Sequence, residues 1–245
     1  MLRKRLITFL TFYEGVLFRT KKFSPDYRYT TNFVDLWSID EIILVDITKH
    51  DRFNQKFLNV IKRCNKNCFV PVTVGGGIKT LDDAKKYLDS GADKVVLSSS
   101  FHTNENIVNQ ISESYGSQCV VLSIDFKKNN GIYDIFIENG EKKVKCNIDE
   151  VVKKVEKNKV GEILLNSIDR DGSLMGYDLD LLKIIEQRMS IPVIISGGAG
   201  NWNHFFEAFN NGADAVCTNN IYHFTEKSIQ SAKIFLKNKG MAIRL

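Results

Sequence analysis

The sequence predicts a (β/α)8 barrel built from two similar halves. Eight short apolar segments alternate with eight helical segments along the 245 residues, and such apolar segments are typical of parallel strands that are covered on both faces. Residues 71–78 (PVTVGGGI) return as residues 192–199 (PVIISGGA), at an offset of about 121 residues. We therefore expect one barrel domain over residues 1–245. An open doubly wound sheet is the alternative, but it would not naturally contain two copies of four units.

The first half of the chain predicts four strands. They are residues 6–10, residues 41–46, the segment before the glycines at 75–77, and residues 94–98. Helical spacing is present at residues 32–38 and 53–61, and Thr80 predicts a helix N-cap because two aspartates follow it. Residues 14–30 are polar and aromatic, and predict a long mobile loop of the kind that often serves function.

The second half predicts four more strands and one insertion. Its strands are residues 120–125, 163–166, 193–195 and 215–218. Residues 126–146 alternate between apolar and polar side chains, and Asn130 with Gly131 gives a turn signal, so we expect an inserted hairpin there. Helical spacing follows at residues 148–155, 179–188, 205–209 and 228–236.

Composition narrows the class of protein. The chain is 43% hydrophobic with a formal net charge of +5, and its lysines are spread along the sequence, so we expect no nucleic-acid partner. It has no apolar run of about 18 residues and no signal-peptide pattern, and we expect a cytoplasmic protein without a membrane partner. The five cysteines lack the spacing of a zinc site, and the four histidines lack metal spacing. We expect reduced thiols, no metal and no cofactor.

The glycine segments predict two sites for phosphate groups. Each follows a predicted strand and precedes a predicted helix, where backbone N–H groups can bind an anion. Each is matched by polar residues after the next strand. The predicted residues are Gly76 and Gly77 with Ser98 and Ser99 in the first half, and Gly197 and Gly198 with Asn219 and Asn220 in the second. Two such sites at one mouth suit a small molecule with a phosphate at each end. Glycines that only form tight turns are the alternative.

Carboxylates at strand ends are candidates for chemistry. Asp46 and Asp125 each follow an apolar strand, and a barrel places its active site at that end. Ser167 and Asp171 lie in the polar loop after the sixth predicted strand, and we expect a substrate-side role for them. Asp125 as a helix cap, or Asp46 and Asp171 as residues that only orient loops, are the alternative interpretations.

Several motifs resemble the cyclase subunit of imidazole glycerol phosphate synthase, the ammonia-using barrel of histidine biosynthesis. The resemblance covers nearly the whole chain, and the motifs are residues 4–7 (KRLI), 44–48 (LVDIT), 74–78 (VGGGI), 161–165 (GEILL), 167–172 (SIDRDG), 196–200 (SGGAG) and 212–214 (GAD). The resemblance implies that a glutaminase subunit docks on the base of the barrel. Ammonia would then pass through the barrel to a substrate held by its two phosphates at the top.

The resemblance also implies a broken catalytic pair. The family uses two aspartates as general acid and base, and the second matches Asp125, but the first falls at Thr11. A threonine does not exchange protons at neutral pH as a carboxylate does. Three further family positions differ: a loop lysine is Arg19, an asparagine is Ser98 and a threonine is Asn166.

The family's charged gate at the barrel base is intact. One arginine, two glutamates and one lysine form it, and here they are Arg5, Glu41, Glu162 and Lys94. Four charges at strand starts are expensive to bury unless they pair with one another. The resemblance makes this ring an ammonia gate, and the alternative is a structural plug.

Three classes of function remain open. The first is a divergent paralogue that passes glutaminase-derived ammonia to another acceptor, such as a third enzyme of a surface-glycan pathway that makes amidino sugars. The second is an active cyclase of histidine biosynthesis, and the third is a sugar-phosphate isomerase like the sister enzyme. The last two need a second carboxylate in place of Thr11.

Overall fold

The computed structural model describes residues 3–29, 39–50, 52–104, 106–218 and 228–244. Its strands are β1 (Arg5–Tyr13), β2 (Val16–Lys21), β3 (Ser24–Arg28), β4 (Glu41–Asp46), β5 (Val72–Gly75), β6 (Lys94–Leu97), β7 (Val120–Asn129), β8 (Ile132–Ile137), β9 (Lys142–Lys143), β10 (Glu162–Ser167), β11 (Val193–Ser196) and β12 (Ala215–Thr218). Strands β1, β4, β5, β6, β7, β10, β11 and β12 pair in parallel in that order, and β12 pairs with β1. The predicted (β/α)8 barrel is confirmed, and β1 lies across it from β7.

Helices surround the barrel. In the described part of the chain they are α1 (Gln55–Asn67), α2 (Leu81–Asp89), α3 (Ser99–Thr103), α4 (Asn106–Tyr115), α5 (Ile148–Lys157), α6 (Leu179–Glu186), α7 (Trp202–Asn210) and α8 (Ser228–Asn238). The N-cap predicted at Thr80 is confirmed, and Thr80 and Asp83 form a capping box at the start of α2. The short helix α3 begins at Ser99, directly after the strand predicted at residues 94–98. The helical spacing at residues 32–38 lies outside the described residues.

The loop predicted at residues 14–30 is wrong. Strand β1 continues to Tyr13. It pairs antiparallel with β2, and β2 pairs antiparallel with β3. The turn between β1 and β2 is made by Glu14 (φ 51°) and Gly15 (φ 76°), and two positive φ angles are what a tight two-residue hairpin turn requires. The outer face of this hairpin is exposed to solvent and carries polar and charged residues. The amino-acid composition of residues 14–30 therefore resembles that of a loop.

The hairpin predicted at residues 126–146 is confirmed. Strand β7 extends beyond the barrel to Asn129, β8 pairs antiparallel with it, and the two-residue β9 pairs with β8. The turn between β7 and β8 is Asn130 (φ 48°) and Gly131 (φ 80°). This insertion therefore projects from the same end of the barrel as the glycine segments.

Two separate apolar layers hold the barrel. The outer layer packs the strands against the helices and includes the aromatic cluster of Phe12, Phe57 and Tyr87. The inner layer fills the barrel and consists of Ile7, Ile43, Val96, Val121, Leu164, Ile194, Ala215 and Cys217, with Phe9 and Val45 above them. The cysteines are all free thiols. Among the described residues, no helix is long and apolar enough to cross a membrane.

The repeated Gly-Ala-Asp motif has the same structural role in both halves. The Asp93 carboxylate accepts a hydrogen bond from the Val72 N–H at 2.8 Å, and the Asp214 carboxylate accepts one from the Val193 N–H at 3.0 Å. Each aspartate satisfies the first N–H of the preceding strand at the barrel base, where a buried unpaired donor would be costly. The two halves therefore fix their glycine-bearing strands β5 and β11 in the same way.

Candidate functional site

A cavity of about 500 Å³ opens at the carboxyl ends of the barrel strands. Most of the residues predicted from the sequence line it, namely Thr11, Asp46, Gly76, Gly77, Ser98, Ser99, Asp125, Asp171, Gly197 and Gly198. This is the end of the barrel at which the fold places active sites, because eight strand-to-helix loops converge there. The cavity is therefore the candidate active site.

Three side-chain donors hold the Asp125 carboxylate in the cavity. Its Oδ1 accepts hydrogen bonds from the Ser123 hydroxyl at 2.7 Å and the Asn166 amide at 3.4 Å, and its Oδ2 accepts one from the Ser98 hydroxyl at 2.9 Å. Ser123 lies two residues before Asp125 in β7 and therefore on the same inward face. Burial raises the pKa of Asp125 above its usual range, although the donors Ser123, Ser98 and Asn166 oppose the rise. Such a group is suited to exchange protons with a ligand.

We expect Asp125→Asn to stabilise the protein at pH 7. A carboxyl with a raised pKa binds its proton more tightly in the folded chain, so the free energy of unfolding falls as pH rises above the ordinary value of 3.8. Asparagine removes that penalty and keeps an oxygen for Ser123. Thermal melts at several pH values should give a higher Tm for the variant at pH 7, with a gain that narrows as pH is lowered. An equal or lower Tm at pH 7 would contradict this reading of Asp125.

Thr11 and Asp46 lie on neighbouring strands across the mouth from Asp125. Thr11 is almost fully buried in β1, in register with Val45 of β4. The Asp46 Oδ1 accepts hydrogen bonds from the Thr48 N–H at 2.9 Å and the Thr48 hydroxyl at 2.5 Å. Asp46 thus orients its own loop as well as facing the cavity. Asp125 shares the cavity lining with Thr11, the residue that the resemblance aligns with the first catalytic aspartate.

Glycine is required at both glycine segments by the backbone. Gly76 (φ 115°) and Gly198 (φ 103°) adopt angles that disfavour other residues. A Cβ on Gly76 would collide with the Asp46 carbonyl, and a Cβ on Gly198 would collide with the Gly176 carbonyl. The glycines therefore form tight turns, and the same turns place backbone without side chains at the cavity wall. The tight-turn interpretation and the phosphate-site interpretation are thus compatible.

The first N–H groups before α2 are not open to a ligand. The N–H groups of Lys79 and Thr80 both donate to the Asp83 carboxylate at 3.1 Å. In the second half, the Gly200 N–H donates to His204 Nδ1 at 3.1 Å. Side chains of α2 and α7 therefore already accept from the backbone at these positions, and the phosphate sites at the glycines stay predictions. The backbone left for an anion is that of the glycines themselves.

Some of the other predicted residues line the cavity, and others only support the loops around it. Ser167 is buried outside the cavity lining, and its carbonyl accepts from the Asp171 N–H at 3.0 Å. The Asp171 carboxylate lines the cavity and accepts from the Phe23 N–H at 2.9 Å, and burial raises its pKa while this bond opposes the rise. Arg19 pairs with Asp26 on the β2–β3 hairpin. Asn219 and Asn220 lie outside the described residues.

The four charges at the barrel base form a closed ring. Arg5 donates to the Glu41 and Glu162 carboxylates at 2.8 Å each. Lys94 donates to the same two carboxylates at 3.0 and 2.7 Å. Each glutamate thus contacts both cations, and the Thr73 hydroxyl adds a hydrogen bond to Glu41 at 2.8 Å. The ring is electrically balanced, which is what burial of four charges requires.

Pairing within the ring outweighs the effect of burial on its charges. Burial opposes ionisation of Arg5, but the hydrogen bonds and charges of Glu162 and Glu41 raise its pKa overall. Burial likewise opposes ionisation of Glu162, while Arg5 and Lys94 lower its pKa below the usual value. The apolar inner layer of the barrel lies above the ring, so the ring stands between the base of the barrel and an apolar interior.

Comparison with known proteins places this chain in a family. The model of the family described as "Histidine biosynthesis protein" matches residues 9–228. The imidazole glycerol phosphate synthase subunit HisF of Natranaerobius thermophilus is 39% identical over 251 residues, with all of both chains covered. The chain belongs to the HisF family. HisF of Campylobacter concisus is 42% identical over 84% of this chain and 82% of its own, and HisF of Thermotoga sp. is 35% identical over all of this chain and 99% of its own.

Three of the four positions at which this chain departs from the pattern implied by the resemblance line the cavity, whereas the fourth, Arg19, pairs with Asp26 on the β2–β3 hairpin. Ser98 and Asn166, which stand where the resemblance implies asparagine and threonine, both donate to Asp125. Thr11, the third departure, lies across the mouth on β1. These positions lie in or directly after three separate strands, and only the fold brings them to the same cavity. Two of these four positions, Ser98 and Asn166, therefore contact the same carboxylate of this HisF-family barrel.

Sequence reasoning missed several residues of the cavity. Arg52 and Lys79 bring cations to it, and Glu138 and Asn139 bring the turn of the inserted hairpin over it. The Glu138 N–H donates to the Ser99 hydroxyl at 3.0 Å, and the Asn139 amide donates to the Ile47 carbonyl at 3.0 Å. This turn lies within the insertion predicted at residues 126–146, but the sequence did not show that the turn contacts loops of the first half.

Proposed function

We propose that this chain is the ammonia-accepting barrel of a glutamine amidotransferase, diverged from the cyclase of histidine biosynthesis and serving another acceptor. A glutaminase subunit docks at the base and releases ammonia there. The mouth binds a phosphorylated or doubly phosphorylated small molecule. The acceptor belongs to a pathway such as the making of amidino sugars for surface glycans, with a third enzyme taking part.

One observation carries this proposal: Asp125 is kept and held by three donors, while the position across the mouth is Thr11. Cyclisation in the family relies on a general acid and a general base, and losing one partner costs on the order of 10²–10⁴ in rate. Substitution at Ser98 and Asn166 as well supports a change of chemistry at the mouth rather than a single lost residue.

The base of the barrel supports a retained path for ammonia. The ring of Arg5, Glu41, Lys94 and Glu162 is complete and balanced. The interior above it is apolar, and an apolar passage admits neutral ammonia more readily than an ammonium ion, whose desolvation is costly. The relatives are named as subunits of a synthase, which supports a partner at this end.

The second candidate is an active cyclase of histidine biosynthesis. The full-length identity of 39% to a named synthase subunit favours it. It requires that another cavity carboxylate, such as Asp46 or Asp171, takes the part of the missing aspartate. A sugar-phosphate isomerase of the sister type needs two carboxylates in the same way, and no contact in the described residues favours it.

Turnover of the histidine-pathway ribonucleotide with saturating ammonium tests the proposal, because ammonium replaces the glutaminase. We expect the unmodified protein to show no turnover at rates ordinary for an enzyme. Binding of a phosphate-bearing ligand at the mouth, followed in parallel, serves as the control for a folded and accessible site. A rate of about 1 per second or more would overturn the proposal in favour of the active cyclase.

A further inference from the structure

The inserted hairpin continues the inner face of β7 beyond the mouth of the barrel. Asp125 and Lys127 are two residues apart in β7, so their side chains lie on one face of the strand. Phe136 of β8 pairs directly with Asp125, and Asp134 pairs with Lys127, which places all four side chains on that face. Asp125 lines the cavity. Lys127 and Phe136 therefore extend the wall that carries Asp125.

Lys127 leans back toward the cavity. Its Nζ lies 4.3 Å from the centroid of the Phe136 ring. Phe136 is the diagonal neighbour of Lys127 on the barrel side, because it stands opposite Asp125. An ammonium over an aromatic ring is attracted by the negative face of the ring. Phe136 thus holds the positive charge of Lys127 near the level of Asp125.

The carboxylate opposite Lys127 is already occupied by other donors. The Asp134 Oδ1 pairs with Lys143 Nζ at 2.7 Å, and the Asp134 Oδ2 accepts a hydrogen bond from the Asn129 amide at 2.9 Å. Among the described residues, the half-buried Lys127 forms no salt bridge. Its ammonium therefore remains for an anion at the mouth.

The adjacent lysine shows the opposite arrangement. Lys128 lies on the other face of β7, where its Nζ is 5.2 Å from the centroid of the Tyr133 ring and 2.7 Å from the Asp180 carboxylate. Both lysines thus lie over an aromatic ring of β8, but a carboxylate neutralises only Lys128. The uncompensated charge is the one on the face of Asp125.

Asp125 leaves room for an anion beside Lys127. Its carboxylate accepts hydrogen bonds from Ser123, Ser98 and Asn166, and Lys127 is not among these donors. Burial raises the pKa of Asp125, which lessens its repulsion of a negatively charged group. A ligand group can therefore lie between the two side chains.

We propose that Lys127, held by Phe136, binds a carboxylate of the ligand beside Asp125. A charge-assisted hydrogen bond from an ammonium to a carboxylate is about twice as strong as a neutral one. Strand β7 lies between β6 and β10, so this group is bound between the two sides of the mouth that carry the glycine turns. The inference rests on the phosphorylated ligand proposed above and narrows its class to a phosphorylated carboxylic acid.

Two matched probes test this site by calorimetric titration of the full chain. Glycerol 3-phosphate and 3-phosphoglycerate share a phosphate ester on a three-carbon skeleton, but only the second carries a carboxylate. We expect 3-phosphoglycerate to bind about 5- to 20-fold more tightly. Lys127→Gln should abolish this preference by weakening 3-phosphoglycerate alone, with the affinity for glycerol 3-phosphate unchanged.

Lys128→Gln is the matched control, because it removes the adjacent lysine from the opposite face and should keep the preference. Equal affinities for the two probes in the unmodified protein, or a preference that survives Lys127→Gln, would overturn the carboxylate site. Equal weakening of both probes by Lys127→Gln would also overturn it, since Lys127 would then act on phosphate. Binding of neither probe would overturn the phosphorylated ligand of the mouth as well.

Phe136 is assigned as a positioning residue. We expect Phe136→Leu to reduce the preference for 3-phosphoglycerate by about 2- to 5-fold, because the ammonium loses the ring that holds it. Phe136→Tyr keeps a ring and should retain the preference, and both variants should bind glycerol 3-phosphate as the unmodified protein does. A full preference in Phe136→Leu would remove Phe136 from the site and leave Lys127 to bind alone.

Discussion

Thr11→Asp is expected to raise cyclase turnover with saturating ammonium by about 10²- to 10⁴-fold over the unmodified protein. The new carboxylate would stand at the end of β1, across the barrel from Asp125 on β7, and both positions line the cavity. The pair would then consist of two buried carboxyl groups facing one ligand from opposite strands. Burial of the first favours a raised pKa, as it does for Asp125. The measurement is product formation from the histidine-pathway ribonucleotide.

Two control variants isolate the role of the charge. Thr11→Asn has the size of the aspartate without its acid–base chemistry and should give no gain. Adding Asp125→Asn to Thr11→Asp should abolish the gain, because each residue then lacks its partner. If Thr11→Asp gives no turnover, the triple variant with Ser98→Asn and Asn166→Thr tests whether the surroundings of Asp125 have diverged too. Failure of both would contradict descent from a working cyclase site.

Lys94→Met is expected to destabilise the protein by about 3–5 kcal/mol. Lys94 donates to both glutamates of the ring, at 3.0 and 2.7 Å. Its removal leaves two buried carboxylates to share Arg5, and the desolvation cost of one of them is no longer offset. Urea unfolding at pH 7 gives the free energy of unfolding directly.

A peripheral pair at the same end of the barrel is the matched control. Lys4 donates to the Ala213 carbonyl at 2.6 Å and lies 3.7 Å from the Asp214 carboxylate, which is a third exposed, so Lys4→Met should cost about 1–2 kcal/mol. Adding Glu162→Gln to Lys94→Met should recover part of the loss by removing the unpaired charge. Similar losses for Lys4→Met and Lys94→Met would contradict a ring held by mutual pairing.

The ring also predicts how the loss depends on pH. Burial opposes ionisation of Glu162, but Arg5 and Lys94 lower its pKa in the folded chain below the ordinary value of 4.5. The stability contributed by Glu162 is therefore present above pH 4.5 and is lost as pH falls through the folded pKa. The destabilisation caused by Lys94→Met should shrink over the same interval. A loss that stays constant down to that range would point to packing rather than charge.

The sequence predicted correctly those elements of the fold whose pattern lies within one short segment of the chain. Apolar strands with polar ends, the repeat of residues 71–78 at 192–199 and the Thr80 cap predicted the barrel and most of its elements. It failed at residues 14–30, because a hairpin with a solvated face has the polar composition of a loop. It also did not show that Asp83 and His204 accept from the backbone N–H groups just before α2 and α7.

What the sequence by itself determined was the barrel, the identity of Asp125 and Thr11 at strand ends, and the four charges of the basal ring. Only the tertiary structure decided which side chains share surroundings. Ser98, Ser123 and Asn166 meet at Asp125, and Arg52 meets Gly77, because closure of the barrel brings the ends of separate strands together. Side-chain period and spacing report one strand at a time, whereas hydrogen bonds between strands depend on their register and on closure.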